Sequence, residues 1–104
     1  MEITTLSKVR RIRNPGLIKE MKEKIGRCIC CGEHKDLQVH HIRSVGRGGG
    51  DIPYNLLVVC FKCHRLIHDR GTHIYKTWPH VWEYMQKLGW VYLGKRLVNT
   101  NEFR

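Results

Sequence analysis

Two pairs of cysteines and two pairs of histidines are the residues of this chain whose types and spacing could do chemistry. Cys28 and Cys31 are separated by two residues, and so are Cys60 and Cys63. This spacing lets both thiolates of a pair reach one ion, and two such pairs provide the four ligands of a tetrahedral Zn²⁺ site. The sequence therefore predicts a structural zinc site.

Disulfide bonds are the alternative use of these cysteines. The first thirteen residues contain no apolar segment of the signal-peptide kind, so we expect a reducing compartment, in which metal binding is favoured over disulfides. A fifth cysteine, Cys30, lies between the first two ligands and is expected to bind no metal. His34 could replace a thiolate, but the four cysteines already fill the shell.

The histidines indicate a second, different metal site. His64 and His68 are four residues apart on a predicted helix, so their rings lie on one face and could bind one ion; a solvated helix face is the alternative. His40 and His41 are neighbours on a predicted strand and point to opposite faces. One of them could face a metal while the other faces a different group. We expect no functional role for His34, His73 and His80.

The elements that must position these residues follow from the apolar pattern. Leu37 to Ile42 reads as a strand, and a glycine-rich loop from Gly46 to Asp51 is expected to hold no regular structure. Leu56 to Val59 reads as a second strand, and His64 to Asp69 as the start of a helix. The cysteine pairs precede the first strand and the helix, so a bound zinc would tether the two parts that carry the histidines.

Flanking elements are predicted on both sides. Asn14 as N-cap and Pro15 at the first position begin a helix that ends at Gly26 and is expected to cover the core. Trp78 and Pro79 begin another helix, closed by Gly89, and a hairpin follows across Gly94 and Lys95. Residues 99–104 are expected to be loose. Three tryptophans are expected in the core: Trp78, Trp82 and Trp90.

The order of these motifs resembles the HNH endonuclease family. The resemblance covers Cys28 to His68, a little under half of the chain, with no motif position missing. Its residues are Cys28 and Cys31, Val39-His40-His41-Ile42, Gly48-Gly49-Gly50-Asp51, Asn55, and Cys60, Cys63, His64 and His68. It implies an α+β fold with a small ββα-metal (His-Me finger) core and a zinc knuckle. A helix would flank this core on the N-terminal side, and a helix plus hairpin on the C-terminal side.

By this resemblance the chain, residues 1–104, is a single nuclease domain with a basic arm at 1–13 and an extension at 72–104. His40 and His64 are implied as ligands of a catalytic divalent ion, with His68 as a third. His41 is implied as the general base. Asn55 would hydrogen-bond the loop so that His41 keeps its orientation. Mg²⁺, Mn²⁺, Ni²⁺ and Zn²⁺ all suit such a site, and the residues do not select among them.

The implied activity is hydrolysis of DNA phosphodiester bonds, leaving 5′-phosphate and 3′-hydroxyl ends. Nineteen Lys and Arg against nine Asp and Glu give a net charge of +10, which favours a polyanionic partner. The chain has no long apolar run, so we expect no association with a membrane. The candidate phosphate contacts, for each of which a solvated side chain is the alternative, are Arg43, Arg47, Lys62 and Arg65.

Contacts mainly to the phosphate backbone predict low sequence specificity, and one active site per chain predicts nicking. The competing function is a non-catalytic zinc-binding module that binds nucleic acid, which would leave the histidines unexplained. We expect a monomer or homodimer in the cytoplasm of a bacterial or phage-infected cell. A phage packaging or restriction protein is a further candidate partner.

Overall fold

Two antiparallel strands followed directly by a helix form the centre of the molecule. The computed structural model describes residues 12–69 and 74–102, except for the side chain of Tyr75. His73 and most of the predicted basic arm lie outside the described residues. The elements, in order, are α1 (Pro15–Ile25), β1 (Leu37–His41), β2 (Leu56–Cys60), α2 (Phe61–Asp69), α3 (Ile74–Thr77), α4 (Pro79–Lys87), β3 (Trp90–Leu93) and β4 (Arg96–Asn99).

Strands β1 and β2 pair in a register that fixes the histidines. His40 lies opposite Leu57, and His41 lies opposite Leu56. All five residues of β2 are buried, as expected for a short, continuously apolar strand rich in leucine and valine. Helix α2 begins at the residue after β2 ends, so its first turns are held close to the sheet.

The glycine-rich loop between β1 and β2 is more ordered than predicted. It contains a turn of 3₁₀ helix at Val45–Arg47, which the sequence interpretation did not expect. The N–H of Gly49 then donates to the carbonyl of Ser44 at 2.9 Å. A Cβ at Gly49 would overlap the carbonyl of Arg43, so only glycine permits this close return of the chain. The loop is therefore folded back onto the end of β1.

Helix α1 has the predicted ends. The Asn14 side chain accepts from the N–H of Leu17, Pro15 stands at the first turn, and Gly26 ends the helix with a φ of 65°. The helix contacts β1 and β2, but none of its residues is buried. It therefore lies against the sheet as expected, with Leu17, Ile18 and Met21 only partly buried.

The core lies between β2, α4 and the C-terminal hairpin. Helix α4 and the hairpin formed by β3 and β4 confirm the predicted C-terminal helix and hairpin, with a two-residue turn at Gly94 and Lys95. Trp90 is 1% exposed and packs in one cluster with Val81, Met85 and the buried cysteines. Trp78 and Trp82 pack against that cluster from its edge.

The segment after the hairpin is ordered as far as it is described, contrary to expectation. Asn99 is fully buried and donates from Nδ2 to the carbonyl of Leu88 at 3.1 Å. Thr100–Glu102 then form a turn of 3₁₀ helix. This turn carries Glu102 to the side of Arg43, far away along the chain.

Among the described residues, no helix combines the length and the apolar character that crossing a bilayer requires.

Candidate functional site

The four predicted cysteine ligands come together. The Sγ atoms of Cys28, Cys31, Cys60 and Cys63 all lie within 4.8 Å of one another. Cys31 Sγ and Cys60 Sγ are 3.6 Å apart. Four sulfurs at these separations surround a point that could hold one Zn²⁺. Cys30 is not a member of this group of four in the described structure.

The local backbone supports thiolate formation at Cys28. Burial alone would raise the pKa of Cys28, but N–H groups of Cys31, Cys60 and Cys30 lower it to about 7. Two of these N–H groups lie 3.3 and 3.4 Å from Cys28 Sγ, those of Cys30 and Cys31. Burial instead raises the pKa of Cys63, so metal binding there must displace the thiol proton.

The cysteine cluster joins the two halves of the molecule that carry histidines. Cys28 and Cys31 lie in the turn before β1, whereas Cys60 ends β2 and Cys63 lies in the first turn of α2. The N–H of Ile29 in the same turn donates to the carbonyl of Val58 at 2.9 Å. The His80 ring of α4 contacts the carbonyl of Ile29 at 2.8 Å, a structural contact for a histidine that we expected to have no function.

A second cluster is formed by three of the predicted histidines. One ring nitrogen each from His40, His64 and His68 lies within 4.8 Å of the others. The Nε2 atoms of His64 and His68 are 3.1 Å apart. Three imidazoles leave coordination positions open for water or a phosphate oxygen, unlike four thiolates. The two clusters therefore differ in chemistry.

His40 is suited to bind an ion in its neutral form. Burial lowers its pKa to about 3, and the charges of His64 and His68 act in the same direction. Its Nδ1 is buried and has no hydrogen-bond partner in the described part of the chain. A buried imidazole nitrogen without a partner is costly, and coordination to a metal would satisfy a ring nitrogen. The histidine cluster thus fits a divalent ion.

His64 is oriented by a residue that the sequence interpretation missed. Its Nδ1 donates to Gln38 Oε1 at 2.6 Å, which leaves the lone pair on Nε2, the atom that faces His68. Gln38 lies two residues before His40 on β1, hence on the same face of the strand. The two-residue spacing from His40 could have indicated that Gln38 faces the same side of the strand. Nothing in the sequence indicated that this side would face α2.

His41 has a carboxylate partner that was also missed. Its Nε2 lies 2.7 Å from Asp51 Oδ1, and the Asp51 side chain is only 4% exposed. Because a carboxylate accepts, His41 donates from Nε2, and the basic lone pair belongs to Nδ1. Asp51 is the last residue of the glycine-rich loop. An acidic residue ten positions after a histidine was only a weak indication that the two side chains would pair.

Asp51 is itself held from the N-terminal side. Its other oxygen, Oδ2, accepts from the N–H of Asn14 at 2.8 Å. The backbone N–H of Asp51 donates to the carbonyl of Ile12 at 2.8 Å. The segment that leads into α1 thus holds Asp51 in place, and Asp51 in turn orients His41.

Asn55 joins the two ends of the loop. Its Oδ1 accepts from the N–H of Arg43 at 2.6 Å, and its Nδ2 donates to the carbonyls of Arg43 at 3.2 Å and Gly50 at 3.0 Å. Asn55 is 2% exposed, so these bonds are shielded from water. Asn55 thus ties the chain just after His41 to the end of the glycine-rich loop.

The four candidate phosphate contacts divide into two places. Arg43 and Arg47 line one cleft, beside the end of β1. Lys62 and Arg65 lie on another surface along α2, where Arg65 Nε donates to Asp69 Oδ2 at 2.9 Å. The structure therefore does not bring these cations together in one surface.

The fold belongs to the ββα-metal class. Two antiparallel strands are joined by a long loop and followed by a helix. The histidines lie between strand and helix, and the cysteine cluster lies beside them. In a comparison with protein families, the HNH endonuclease model matches residues 28–70. Over these residues the match confirms the resemblance drawn from the motifs. No curated protein matches the chain. The family match implies nuclease activity in general, a nucleic-acid substrate and a divalent metal.

Proposed function

We propose that this protein is a metal-dependent DNA endonuclease that nicks one strand with low sequence specificity and leaves 5′-phosphate and 3′-hydroxyl ends. The observation that carries the proposal is the histidine cluster of His40, His64 and His68 beside a His41 that is paired with a buried carboxylate. Burial lowers the pKa of His64, and the charges of His68 and His41 lower it further. The four rings therefore share one electrostatic environment.

In the proposed reaction His41 is the general base. Its Nδ1 removes a proton from the attacking water, and the Asp51 carboxylate stabilises the imidazolium that results. Asp51 also holds the ring in one orientation through the Nε2 contact. Asn55 keeps the loop backbone fixed, so His41 and Asp51 do not drift apart.

His40, His64 and His68 would hold the catalytic ion, with Gln38 orienting His64. When bound, a divalent ion there supplies positive charge to the scissile phosphate and to the departing 3′ oxygen. The neutral state of His40 at physiological pH suits this role, because a protonated imidazole cannot coordinate metal. The four cysteines would hold a structural Zn²⁺ that takes no part in the chemistry.

The direct test is conversion of supercoiled plasmid to the nicked form by purified protein with Mg²⁺ or Mn²⁺. We expect nicking that depends on the added ion. His41→Ala should lower the rate by a factor of about 10² to 10⁴, the usual contribution of a general base. The variant should keep its zinc, because His41 is not a member of either metal cluster.

His34→Ala is the matched control. His34 is exposed and its ring contacts the carbonyl of Gly26, away from both clusters, so its loss should leave the nicking rate unchanged. If His41→Ala nicks as fast as the parent, the assignment of the base is wrong. If the parent fails to nick with any divalent ion tested, the result favours the alternative, a non-catalytic zinc module that binds nucleic acid.

A single histidine cluster in the described part of the chain supports nicking rather than a double-strand break, which would need two chains or two events. We propose action as a monomer or homodimer in the cytoplasm of a bacterial or phage-infected cell. The five unpaired cysteines support a reducing compartment. A phage packaging or restriction protein is the partner class that we would test first.

A further inference from the structure

A cleft of about 840 Å³ lies beside the candidate active site. Its lining begins at Ile42, the residue after His41, and continues through the loop to Arg47. The opposite wall comes from the C-terminal hairpin, including Lys95 and Arg96. The cleft thus joins the end of the histidine-bearing strand β1 to a C-terminal extension outside residues 28–70, the range of the family match.

The described lining is strongly cationic. Arg43, Arg47, Lys95 and Arg96 face the cleft, and Glu102 is the one carboxylate among the described residues that line it. The cations come from two segments about fifty residues apart, and they meet only because the hairpin lies against the end of β1. Converging cations beside a phosphodiesterase centre favour a polyanionic strand as the occupant.

Arg43 is held in place before any ligand binds. Its Nη1 forms an ion pair with Glu102, and its guanidinium lies 5.7 Å from the centre of the Trp90 ring. Trp90 is fixed in turn, because its Nε1 donates to the carbonyl of Tyr54 at 2.6 Å. Asn55 hydrogen-bonds both the backbone N–H and the backbone carbonyl of Arg43. A preorganised guanidinium loses little conformational freedom when it binds a phosphate.

Tyr92 adds an aromatic surface to the same wall. It is 44% exposed, lines the cleft and lies 5.6 Å from the Trp82 ring, centre to centre. Aromatic side chains beside cationic ones are the usual means of holding a strand whose bases can stack. The hairpin therefore offers both backbone and base contacts.

We propose that this cleft binds the DNA strand next to the scissile phosphate, with Lys95 and Arg96 of the hairpin contacting its phosphates and Tyr92 stacking on a base. The proposal rests on the proposed nuclease function, which supplies the substrate. It assigns a substrate-binding role to the C-terminal hairpin, for which the sequence alone gave only a structural prediction.

The test is DNA binding by fluorescence anisotropy with a labelled oligonucleotide duplex and its single strand, without added divalent ion, so that no cutting occurs. Lys95→Ala and Arg96→Ala should each weaken binding about threefold to tenfold and reduce the slope of log affinity against log salt by roughly one. Lys87→Ala is the control, because Lys87 is an exposed lysine at the end of α4 that does not line the cleft. It should bind as the parent does.

Tyr92→Ala should weaken binding of the single strand more than that of the duplex, while Tyr92→Phe should retain it. Unchanged affinity and salt slope in both hairpin variants, or an equal loss in Lys87→Ala, would overturn the proposal. Tighter binding of an RNA of the same sequence would overturn the choice of DNA. Because binding is measured apart from cleavage, the two proposals fail separately. If the hairpin variants weaken DNA binding but the parent never nicks plasmid, the proposed nuclease function is refuted. If the parent nicks but the hairpin variants bind as the parent does, only the proposed role of the cleft is refuted.

Discussion

At the scale of single residues, the most informative contact is the one between His41 and Asp51. A histidine adjacent to a metal ligand could use either ring nitrogen as a base, and the carboxylate decides which. With Nε2 donating to Asp51 Oδ1 at 2.7 Å, the lone pair resides on Nδ1. Burial of Asp51 strengthens this interaction, because little water competes for the carboxylate.

Asp51→Asn should therefore lower kcat by about 10-fold to 100-fold and change KM little, since the amide keeps the shape but lacks the charge that stabilises the imidazolium. The measurement is the rate of oligonucleotide cleavage against substrate concentration. Nitrogen NMR shifts of the His41 ring should also report a changed population of the two tautomers.

Asp36→Asn is the control for this change. Asp36 is exposed and has a φ of 54°, a conformation that asparagine also adopts. It should leave kcat unchanged. An Asp51→Asn variant with the kcat of the parent would show that the carboxylate only anchors the loop.

At the scale of elements, the cysteine cluster and the β2–α2 junction form one unit. Cys60 and Cys63 lie on either side of the point where the strand becomes the helix. Cys28 and Cys31 connect that junction to the turn before β1. The separation of the histidine-bearing elements should therefore depend on whether the cysteines hold a metal ion.

Cys63→Ala should abolish zinc binding and, with it, most of the stability. Structural zinc contributes on the order of 10 kcal/mol. Each kcal/mol shifts the melting temperature of a domain of this size by about 4–8 °C. We expect a large fall in melting temperature or an unfolded protein, measured by circular dichroism together with zinc content.

Cys30→Ala is the matched control, because Cys30 is also buried but does not belong to the four-sulfur group. Burial raises the pKa of Cys30 to about 12, so it stays a thiol at neutral pH. This variant should keep one zinc per chain and lose only the packing of one small side chain. Loss of zinc in Cys30→Ala, or its retention in Cys63→Ala, would contradict the ligand assignment.

At the scale of the whole molecule, the sequence predicted those features that depend on residues close together in the chain. The ends of α1, the hairpin turn and the paired cysteines each rest on a few adjacent positions, and the structure has them where they were predicted. The partnerships that complete the site join distant positions instead. Gln38 and His64 are 26 residues apart, and Arg43 and Glu102 are 59 apart. No local pattern encodes such pairs, because they exist only once the elements have packed.

The same reason explains the error in the C-terminal segment. The polar residues after β4 predicted a loose tail, yet Asn99 is buried because its amide donates to the carbonyl of Leu88, next to the end of α4. Here tertiary packing outweighed local composition.

The central claim is that a divalent ion held by the histidine cluster, distinct from the zinc of the cysteine cluster, is required for DNA cleavage. The most direct measurement is a Mn²⁺ titration of zinc-loaded protein, in which bound Mn²⁺ is followed by electron paramagnetic resonance and plasmid nicking is measured in parallel. We predict one Mn²⁺ per chain, nicking that saturates with its occupancy, and loss of both in His64→Ala with zinc retained. Nicking that is independent of Mn²⁺, or that is undiminished in His64→Ala, would contradict the account.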